Sequence, residues 1–228
     1  MHDIRLVAFD VDGTLVENDQ GLVVWQVLND RFVGDQALNE QRFQEYLAGA
    51  LTYAEWVRLD IEGWQQGGAT RKGIEHEIRT HLRLAPFARE VTAELRRRGF
   101  VLAVVSGTLD IVLDVLFPDH PFEHVFTNKI GFDAGGAITH WQATPYDMDG
   151  KADAVRLLAA RLGLDLREVA FVGDNVNDCS AMRLVGHAIA YDPKHEQVRS
   201  AARSVLSRGR LDDLLGLLPA RSTEFPCA

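Results

Sequence analysis

The sequence predicts an α/β fold, in which a mostly parallel sheet is flanked by helices and an all-helical segment is inserted near its start. Short apolar runs at 4–9, 100–105 and 169–172 have the length of buried strands. From Pro86 onward, helical stretches alternate with such runs, which is typical of parallel sheets with right-handed crossovers. Between about 19 and 84, apolar residues recur at helical spacing and no strand-like run interrupts them.

The helical segment sets the predicted domain organisation. We expect residues 1–16 and 85–228 to form the α/β core, and residues 17–84 to form a small helical cap. Three of the four tryptophans lie in this cap, namely Trp25, Trp56 and Trp64. We interpret them as the core of a small helical bundle rather than as residues that face a substrate.

The core elements follow in chain order after the cap. A helix is predicted from Pro86 to about Arg98, because proline is tolerated in the first turn and Gly99 follows the last one. The other predicted elements are a strand at 100–105, a helix at 109–117, a strand at 122–126, a hairpin of 128–130 with 137–141, a helix at 151–162, a strand at 169–172, a helix to about 184, a strand at 187–190 and a helix at 211–218. We expect the tail at 219–228 to be loosely held.

Composition limits the possible functions. The chain has 228 residues, of which 46% are hydrophobic, enough for a packed core with an insertion. Its net charge of -9 argues against nucleic acid as a partner, whereas a small phosphorylated substrate remains compatible because a bound cation can reverse the local field.

The same composition predicts a cytoplasmic protein. Two cysteines, Cys179 and Cys227, fit a reducing compartment, and no apolar run reaches the roughly 18 residues of a membrane helix. The first residues lead directly into a strand, so no signal peptide is expected. We expect a monomer or homodimer that has no membrane partner.

Polar residues follow three of the predicted strands and begin one helix. They are, in chain order, Asp10 and Asp12, Ser106 and Gly107, Lys151, and Asp174 and Asp178. Because the carboxyl ends of parallel strands lie at one edge of a sheet, we expect these residues to converge there. Clustered acids repel one another unless a cation lies between them, and oxygen ligands without a nearby His or Cys cluster favour magnesium over zinc. Taken alone, the first pair is also compatible with a surface turn or part of a calcium loop.

The order of these residues resembles the four motifs of the haloacid dehalogenase-like hydrolases. The matching stretches are Asp10-Val11-Asp12-Gly13-Thr14, Ser106-Gly107, Lys151 and Gly173-Asp174-Asn175-Val176-Asn177-Asp178. The resemblance implies a Rossmann-like core with a mobile cap, and a helical cap between the first two motifs corresponds to the type called C1. Most members are Mg²⁺-dependent phosphatases that act through an aspartyl-phosphate.

The resemblance also implies a role for each matching residue. Asp10 would be the nucleophile, and Asp12 the general acid for the leaving alcohol and then the base that activates water. Ser106 and the Gly107 amide would hold the phosphate, and Lys151 would pair with both the phosphate and Asp10. The implied metal ligands are Asp10, the backbone carbonyl of Asp12, Asp174 and, directly or through water, Asp178.

Within the family, the chain is most similar to the phosphoserine phosphatase branch. The helical cap, the hairpin at 128–140 and the Gly150-Lys151 helix start are the shared features. Two departures lie in the motifs, because Gly13 stands where that branch usually has serine and Thr108 where it usually has glycine.

The residues that would select the substrate are less well matched. Asp19 stands where the branch has a glutamate that grips the substrate ammonium, and it is one methylene shorter. Arg58 is the candidate for the substrate carboxylate, with Arg71 and Arg79 as alternatives.

The sequence therefore predicts a Mg²⁺-dependent phosphatase for a small phosphomonoester, with phosphoserine as the leading substrate. Another sugar or amino-acid-pathway phosphate is the main alternative. A non-catalytic phosphate-binding regulatory module is disfavoured because the nucleophile and metal ligands are intact. A dehalogenase is a further alternative, because it uses the same nucleophile without a metal ion. It is disfavoured because Asp12, Asp174 and Asp178 would then have no role.

Overall fold

The computed structural model of the chain describes residues 3–220, so residues 221–228 of the predicted loose tail, including Cys227, lie outside the described part. The strands are β1 (Leu6–Phe9), β2 (Val16–Glu17), β3 (Arg83–Leu84), β4 (Val101–Leu109), β5 (His124–Phe132), β6 (Ile138–Gln142), β7 (Val169–Gly173), β8 (His187–Tyr191) and β9 (Ser204–Leu206). The helices are α1 (Val24–Phe32), α2 (Gln36–Leu47), α3 (Tyr53–Gln66), α4 (Arg71–His81), α5 (Ala88–Arg97), α6 (Asp110–Leu116), α7 (Lys151–Leu162), α8 (Cys179–Met182), α9 (Glu196–Ala201) and α10 (Leu214–Leu217).

Seven strands form one sheet in the order β6-β5-β4-β1-β7-β8-β9. All neighbours are parallel except β6, which pairs antiparallel with β5 at the edge. The first strand lies in the middle, where Leu6 is opposite both Val101 and Val169. This arrangement confirms the predicted α/β fold class with a mostly parallel sheet.

Both faces of the sheet are covered, which explains why its central strands are continuous apolar runs. Successive residues of β1 alternate between two apolar clusters, with Val7 and Phe9 on one side and Leu6 and Ala8 on the other. Helices α7, α8 and α9 complete the second cluster, whereas α5, α6 and α10 pack on the first together with cap residues. The ends of β1, β4 and β7 are thereby held on a rigid central layer.

Helices α1 to α4 make up the cap and lie between β2 and β3, which pair with each other antiparallel. The chain enters and leaves the cap through this two-stranded ribbon, and the predicted boundaries after residue 16 and before residue 85 fall within it. The third helix begins after Thr52, whose hydroxyl accepts a hydrogen bond from the Glu55 backbone N–H.

The cap has its own buried core, in which Trp64 is fully buried. Its indole N–H donates to Asn29 Oδ1 at 2.6 Å, which satisfies a polar atom that burial would otherwise leave without a partner. Nearby, Arg42 and Asp60 form a buried ion pair between α2 and α3. The bundle-core interpretation is therefore correct for Trp64.

The structure departs from the predicted elements in several places. A single strand, β5, replaces the predicted strand at 122–126 and the first arm of the hairpin, because the polar pair Thr127-Asn128 continues the ladder. Similarly, β4 extends through 106–108 to Leu109, with an irregular register after Val105. Helix α9 and strand β9 were not predicted, and the helix predicted to reach 184 is the short α8. None of the described helices is long and apolar enough to cross a membrane.

Candidate active site

The central strand delivers the first two acids. Asp10 follows β1 directly, and its backbone N–H donates to the Val172 carbonyl at 2.9 Å, so the chain remains tied to β7 at this point. The chain then turns at Gly13, which has φ +86°, and a Cβ added there would lie 2.3 Å from a carboxylate oxygen of Asp174. Glycine is thus required both for the turn and for the close approach of the two loops.

Lys151 joins the two ends of the acidic cluster. It is the first residue of α7 and is fully buried. Its ammonium group lies 2.8 Å from Asp10 Oδ1 and 2.7 Å from Asp178 Oδ1. A buried lysine between two buried carboxylates is costly to desolvate, and charge-assisted hydrogen bonds at both oxygens offset that cost.

Asp178 anchors the loop that follows β7. Its second oxygen, Oδ2, accepts hydrogen bonds from the backbone N–H groups of Asp174 at 2.9 Å and Asn175 at 3.0 Å. Both oxygens of Asp178 are therefore occupied by N–H donors. The side chain fixes Lys151 and the path of the Asp174 loop at the same time.

Three carboxylates could hold a metal ion together. Ligand atoms of Asp10, Asp174 and Asp178 lie within 4.8 Å of one another, and all three residues are buried. Beside them, Asp12 Oδ1 is buried without a hydrogen-bond partner. Carboxylate oxygens are hard ligands, and a single lysine does not neutralise four clustered acids, so the donor set fits Mg²⁺.

Burial is the main reason that these carboxylates are difficult to ionise in the protein without a metal ion. Burial raises the pKa of Asp10 to about 7, although Lys151 acts in the opposite direction. Burial also raises the pKa of Asp12 to about 6, and together with the charges of Asp10 and Asp178 it raises the pKa of Asp174 well above its usual value. For Lys151, burial acts to lower the pKa, but the neighbouring acids hold it above its usual range.

The end of β4, the strand that pairs with β1, contains the predicted phosphate-binding residues. Ser106 is buried, and its Oγ accepts a hydrogen bond from the Thr108 backbone N–H at 3.2 Å. Gly107 packs against the Asp147 carboxylate so closely that an added Cβ would lie 1.9 Å from Asp147 Oδ2. A side chain at position 107 would therefore displace Asp147.

Four residues at this strand end make contacts that the sequence did not predict. Asp147, in the loop before α7, is held by Asn177 Nδ2 at 3.1 Å. Asn128 on β5 donates to the Gly107 carbonyl at 2.6 Å and to the Tyr53 hydroxyl at 2.7 Å. The indole N–H of Trp25 donates to the same Gly107 carbonyl at 2.8 Å. Its ring also packs on Trp64 in the cap, with ring centroids 5.0 Å apart, so the bundle-core interpretation holds for the ring but misses the contact of its N–H with the core. The polar Asn128 in a predicted hairpin arm was the one available sequence signal.

The predicted substrate-selecting residues lie elsewhere. Arg58 is exposed on α3 and pairs with Glu62 at 2.9 Å. Asp19 has a side chain that is 77% exposed and pairs with Arg83 and Arg208. Both alternative arginines bind one acid, Glu75; they are Arg71 and Arg79. Among the described residues, no hydrogen bond or ion pair joins Arg58 or Asp19 to the acidic cluster, because each side chain is held by neighbours of opposite charge at the surface.

Comparison with known proteins agrees with this geometry. The family model for haloacid dehalogenase-like hydrolases matches residues 4–186. The chain belongs to this family. The match confirms the resemblance to this family that the four motifs predicted, and it agrees with the observed α/β fold.

Individual relatives of this haloacid dehalogenase-like hydrolase include phosphatases of two kinds. The chain is 31% identical over 225 residues to the phosphoserine phosphatase SerB2 of Mycobacterium tuberculosis, an alignment that covers 98% of this chain and 53% of that protein. It is 26% identical to a phosphoglycolate phosphatase of Vibrio cholerae, covering 82% of this chain and 83% of that protein. The chain thus spans about half of the length of the first of these relatives.

The fold is also similar to that of a solved phosphoserine phosphatase. A structure titled as a phospho-aspartyl intermediate analogue of that enzyme superposes with a TM-score of 0.71 at 23% identity, covering 93% of this chain and 98% of the other. At this level of identity the similarity establishes the shared fold.

The raised carboxylate pKa values predict how stability depends on pH when divalent cations are removed. The pKa values of Asp10 and Asp12 are raised from 3.8 to about 7 and about 6, so the folded protein binds more protons than the unfolded chain between about pH 4 and pH 7. We expect the free energy of unfolding in EDTA to fall as pH rises through this window, by about 1.4 kcal/mol per unit of pKa shift. Urea unfolding at several pH values measures it.

An Asp12→Asn variant serves as the control for this pH dependence. Because this variant lacks one of the buried titrating groups, we expect its free energy of unfolding to fall less steeply as pH rises. In the unmodified protein, excess magnesium is expected to reduce the pH dependence of the free energy of unfolding, because a bound cation favours the ionised carboxylates. A metal-free protein whose stability rises steadily from pH 4 to pH 7 would contradict the raised pKa values.

Proposed function

We propose that this chain is a Mg²⁺-dependent phosphatase that hydrolyses a small phosphomonoester through an aspartyl-phosphate on Asp10. The observation that most directly supports this is the fully buried Lys151 between Asp10 and Asp178, with Asp174 beside them. This arrangement places a nucleophilic carboxylate next to positive charge that can offset its repulsion from a phosphate dianion.

The first step is attack of the Asp10 carboxylate oxygen on phosphorus, with cleavage of the bond to the leaving alcohol. The Ser106 hydroxyl, the Gly107 backbone N–H and the Lys151 ammonium are the groups proposed to hold the phosphate oxygens during this transfer. Asp10, the Asp12 backbone carbonyl and Asp174 would hold magnesium, which would supply positive charge to offset the negative charge of the phosphate. Because both Asp178 oxygens already accept hydrogen bonds, we assign Asp178 to supporting Lys151 and the Asp174 loop.

Asp12 is the proposed proton donor and acceptor. Its pKa of about 6 lies near neutrality, which suits a group that must both give and take a proton. As an acid it protonates the departing alkoxide oxygen. As a base it then takes a proton from water, whose oxygen attacks phosphorus and releases Asp10 and inorganic phosphate. Every proton given in the first half is recovered in the second.

Phosphoserine remains the leading proposed substrate, on the basis of the phosphoserine phosphatase relatives. A second candidate, another small metabolite phosphate, is favoured by the exposure of Asp19 and Arg58, which leaves the ammonium and carboxylate of phosphoserine without their expected partners. Either substrate fits a cytoplasmic enzyme that acts as a monomer or homodimer. The intact acidic cluster disfavours a non-catalytic binding role.

Phosphate release by the purified protein tests the proposed function. The panel contains phosphoserine, phosphoglycolate and several sugar phosphates, each assayed with magnesium and with EDTA. We expect turnover of at least one phosphomonoester that requires magnesium and is lost in EDTA, and the preferred substrate identifies the class. Phosphate release that is equal with and without magnesium would contradict the proposed mechanism, and no release from any member would favour a binding role.

A further inference from the structure

The Gly107 carbonyl is held by donors from both domains. Asn128 Nδ2, on core strand β5, donates to it at 2.6 Å, and the indole N–H of Trp25, on cap helix α1, donates at 2.8 Å. A carbonyl oxygen has two acceptor lone pairs, so both bonds can form together and occupy the full capacity of the atom. The orientation of this peptide group thus depends on a cap residue as well as on the core.

The peptide group between Gly107 and Thr108 transmits that orientation to Ser106. The described part of the chain has no cis peptide bond, so the Thr108 N–H points away from the Gly107 carbonyl. It donates to Ser106 Oγ at 3.2 Å. With its oxygen accepting that bond, the Ser106 hydroxyl keeps its own hydrogen free to donate to a phosphate oxygen.

A second cap residue meets the same point. The Tyr53 hydroxyl, at the start of α3, accepts from Asn128 Nδ2 at 2.7 Å, and Asn128 Oδ1 accepts from the Thr144 backbone N–H at 2.7 Å. Asn128 is fully buried, and its amide group is satisfied only when the cap lies against the core. We call Trp25, Tyr53, Gly107 and Asn128 the cap–loop junction.

We propose that Trp25 is a positioning residue that makes phosphate binding at Ser106 and Gly107 depend on docking of the cap. When the cap is docked, Trp25 holds the Gly107 carbonyl, and the opposite N–H fixes Ser106 Oγ. When the cap moves away, the carbonyl keeps only the donor from Asn128, and the orientation of the Gly107–Thr108 peptide is less firmly fixed. The inference rests on the proposed function, because it assigns phosphate to these groups, but it concerns a residue outside the four motifs.

A Trp25→Phe variant tests the proposal, since it keeps an aromatic ring and removes the N–H donor. The control is Trp141→Phe, which makes the same change at a half-buried tryptophan of edge strand β6 that pairs with Ile130 of β5. Affinity for inorganic phosphate is measured by calorimetry in magnesium, and KM and kcat are measured for the two best substrates of the panel. We expect Trp25→Phe to weaken phosphate binding and raise both KM values by the same factor of about 5 to 10, the equivalent of one hydrogen bond.

The outcomes separate positioning from other roles. Equal factors for two different leaving groups support positioning of the phosphate site, whereas a change for one substrate alone would overturn it in favour of a contact with the leaving group. Unchanged phosphate affinity with a lowered melting temperature would also overturn it, because Trp25 would then only stabilise the cap. If Trp25→Phe fails to fold, the Tyr53→Phe variant is used to test the proposal. We expect it to lose phosphate affinity by a smaller factor. An unchanged phosphate affinity in this variant would contradict the proposal.

The same measurements distinguish failure of this inference from failure of the proposed function. A protein that binds phosphate but turns over no substrate would contradict the phosphatase assignment, and weaker binding by Trp25→Phe would still support the positioning role. A protein that turns over phosphomonoesters but whose phosphate affinity is the same in Trp25→Phe would leave the phosphatase intact and exclude the role of Trp25. A protein that binds no phosphate in magnesium would contradict both.

Discussion

Replacing Asp10 by asparagine is expected to abolish magnesium-dependent phosphate release, with a fall in kcat of about 10⁴-fold or more. The amide has almost the shape of the carboxylate, but its oxygen is neutral and does not form a stable phosphoryl bond. The carbonyl oxygen can still accept the hydrogen bond from Lys151, which lies 2.8 Å away in the unmodified protein. The loss therefore reports the missing nucleophile and not a missing contact. Single-turnover assays with the preferred substrate measure it.

Two controls make this result specific. Asp119→Asn makes the same chemical change at an exposed acid that pairs with Arg89, remote from the cluster, and is expected to leave kcat unchanged. Urea unfolding in EDTA is expected to show that Asp10→Asn is at least as stable as the unmodified protein, because one buried like charge is removed. An Asp10→Asn protein that keeps more than about one tenth of the activity would exclude Asp10 as nucleophile.

The predicted convergence of Asp10, Lys151 and Asp174 is observed, and it follows from topology. In a parallel sheet the carboxyl ends of neighbouring strands must meet, so Asp10 and Asp174 could be placed together once β1 and β7 were recognised. Lys151 begins the helix that leads into β7, which limits the distance it can lie from that edge. No knowledge of side-chain packing was needed for these placements.

The residues that the sequence missed depend on how the cap sits on the core. Trp25 and Tyr53 have the helical spacing of bundle-core residues, and only long-range packing turns them towards Gly107 and Asn128. The position of a charged side chain on the cap is equally invisible in the sequence. Arg58 was placed by its distance along the chain, but a glutamate four residues later holds it on the exposed face of α3.

Residues in loops were missed for a different reason. Asp147 lies between β6 and α7, in a segment without hydrophobic periodicity, so nothing in the sequence indicated that its carboxylate would pack against Gly107. Its charge nevertheless contributes to raising the pKa of Lys151 above its usual range. Acids supplied by loops can thus alter the electrostatics of a site whose motifs are otherwise recognisable.

Replacing Lys151 by methionine is expected to be the most destabilising single substitution in this site, as well as an inactivating one. Methionine fills a similar volume but carries no charge, so Asp10 and Asp178 would remain buried with no counter-ion. Breaking a buried ion pair from one side costs about 3–5 kcal/mol. Urea unfolding in EDTA at neutral pH measures this loss against the unmodified protein.

The effect of magnesium on the stability of Lys151→Met shows whether Lys151 stabilises the site through its charge or through packing. If the cost is uncompensated charge, magnesium is expected to restore part of the stability of Lys151→Met, since a bound cation supplies positive charge to the same acids. If the cost is packing alone, magnesium would stabilise the variant and the unmodified protein by equal amounts. Lys129→Met, the same change at an exposed position of β5, is expected to alter stability by less than about 0.5 kcal/mol. Restored stability without restored turnover would show that the lysine contributes to phosphate transfer beyond holding the acids together.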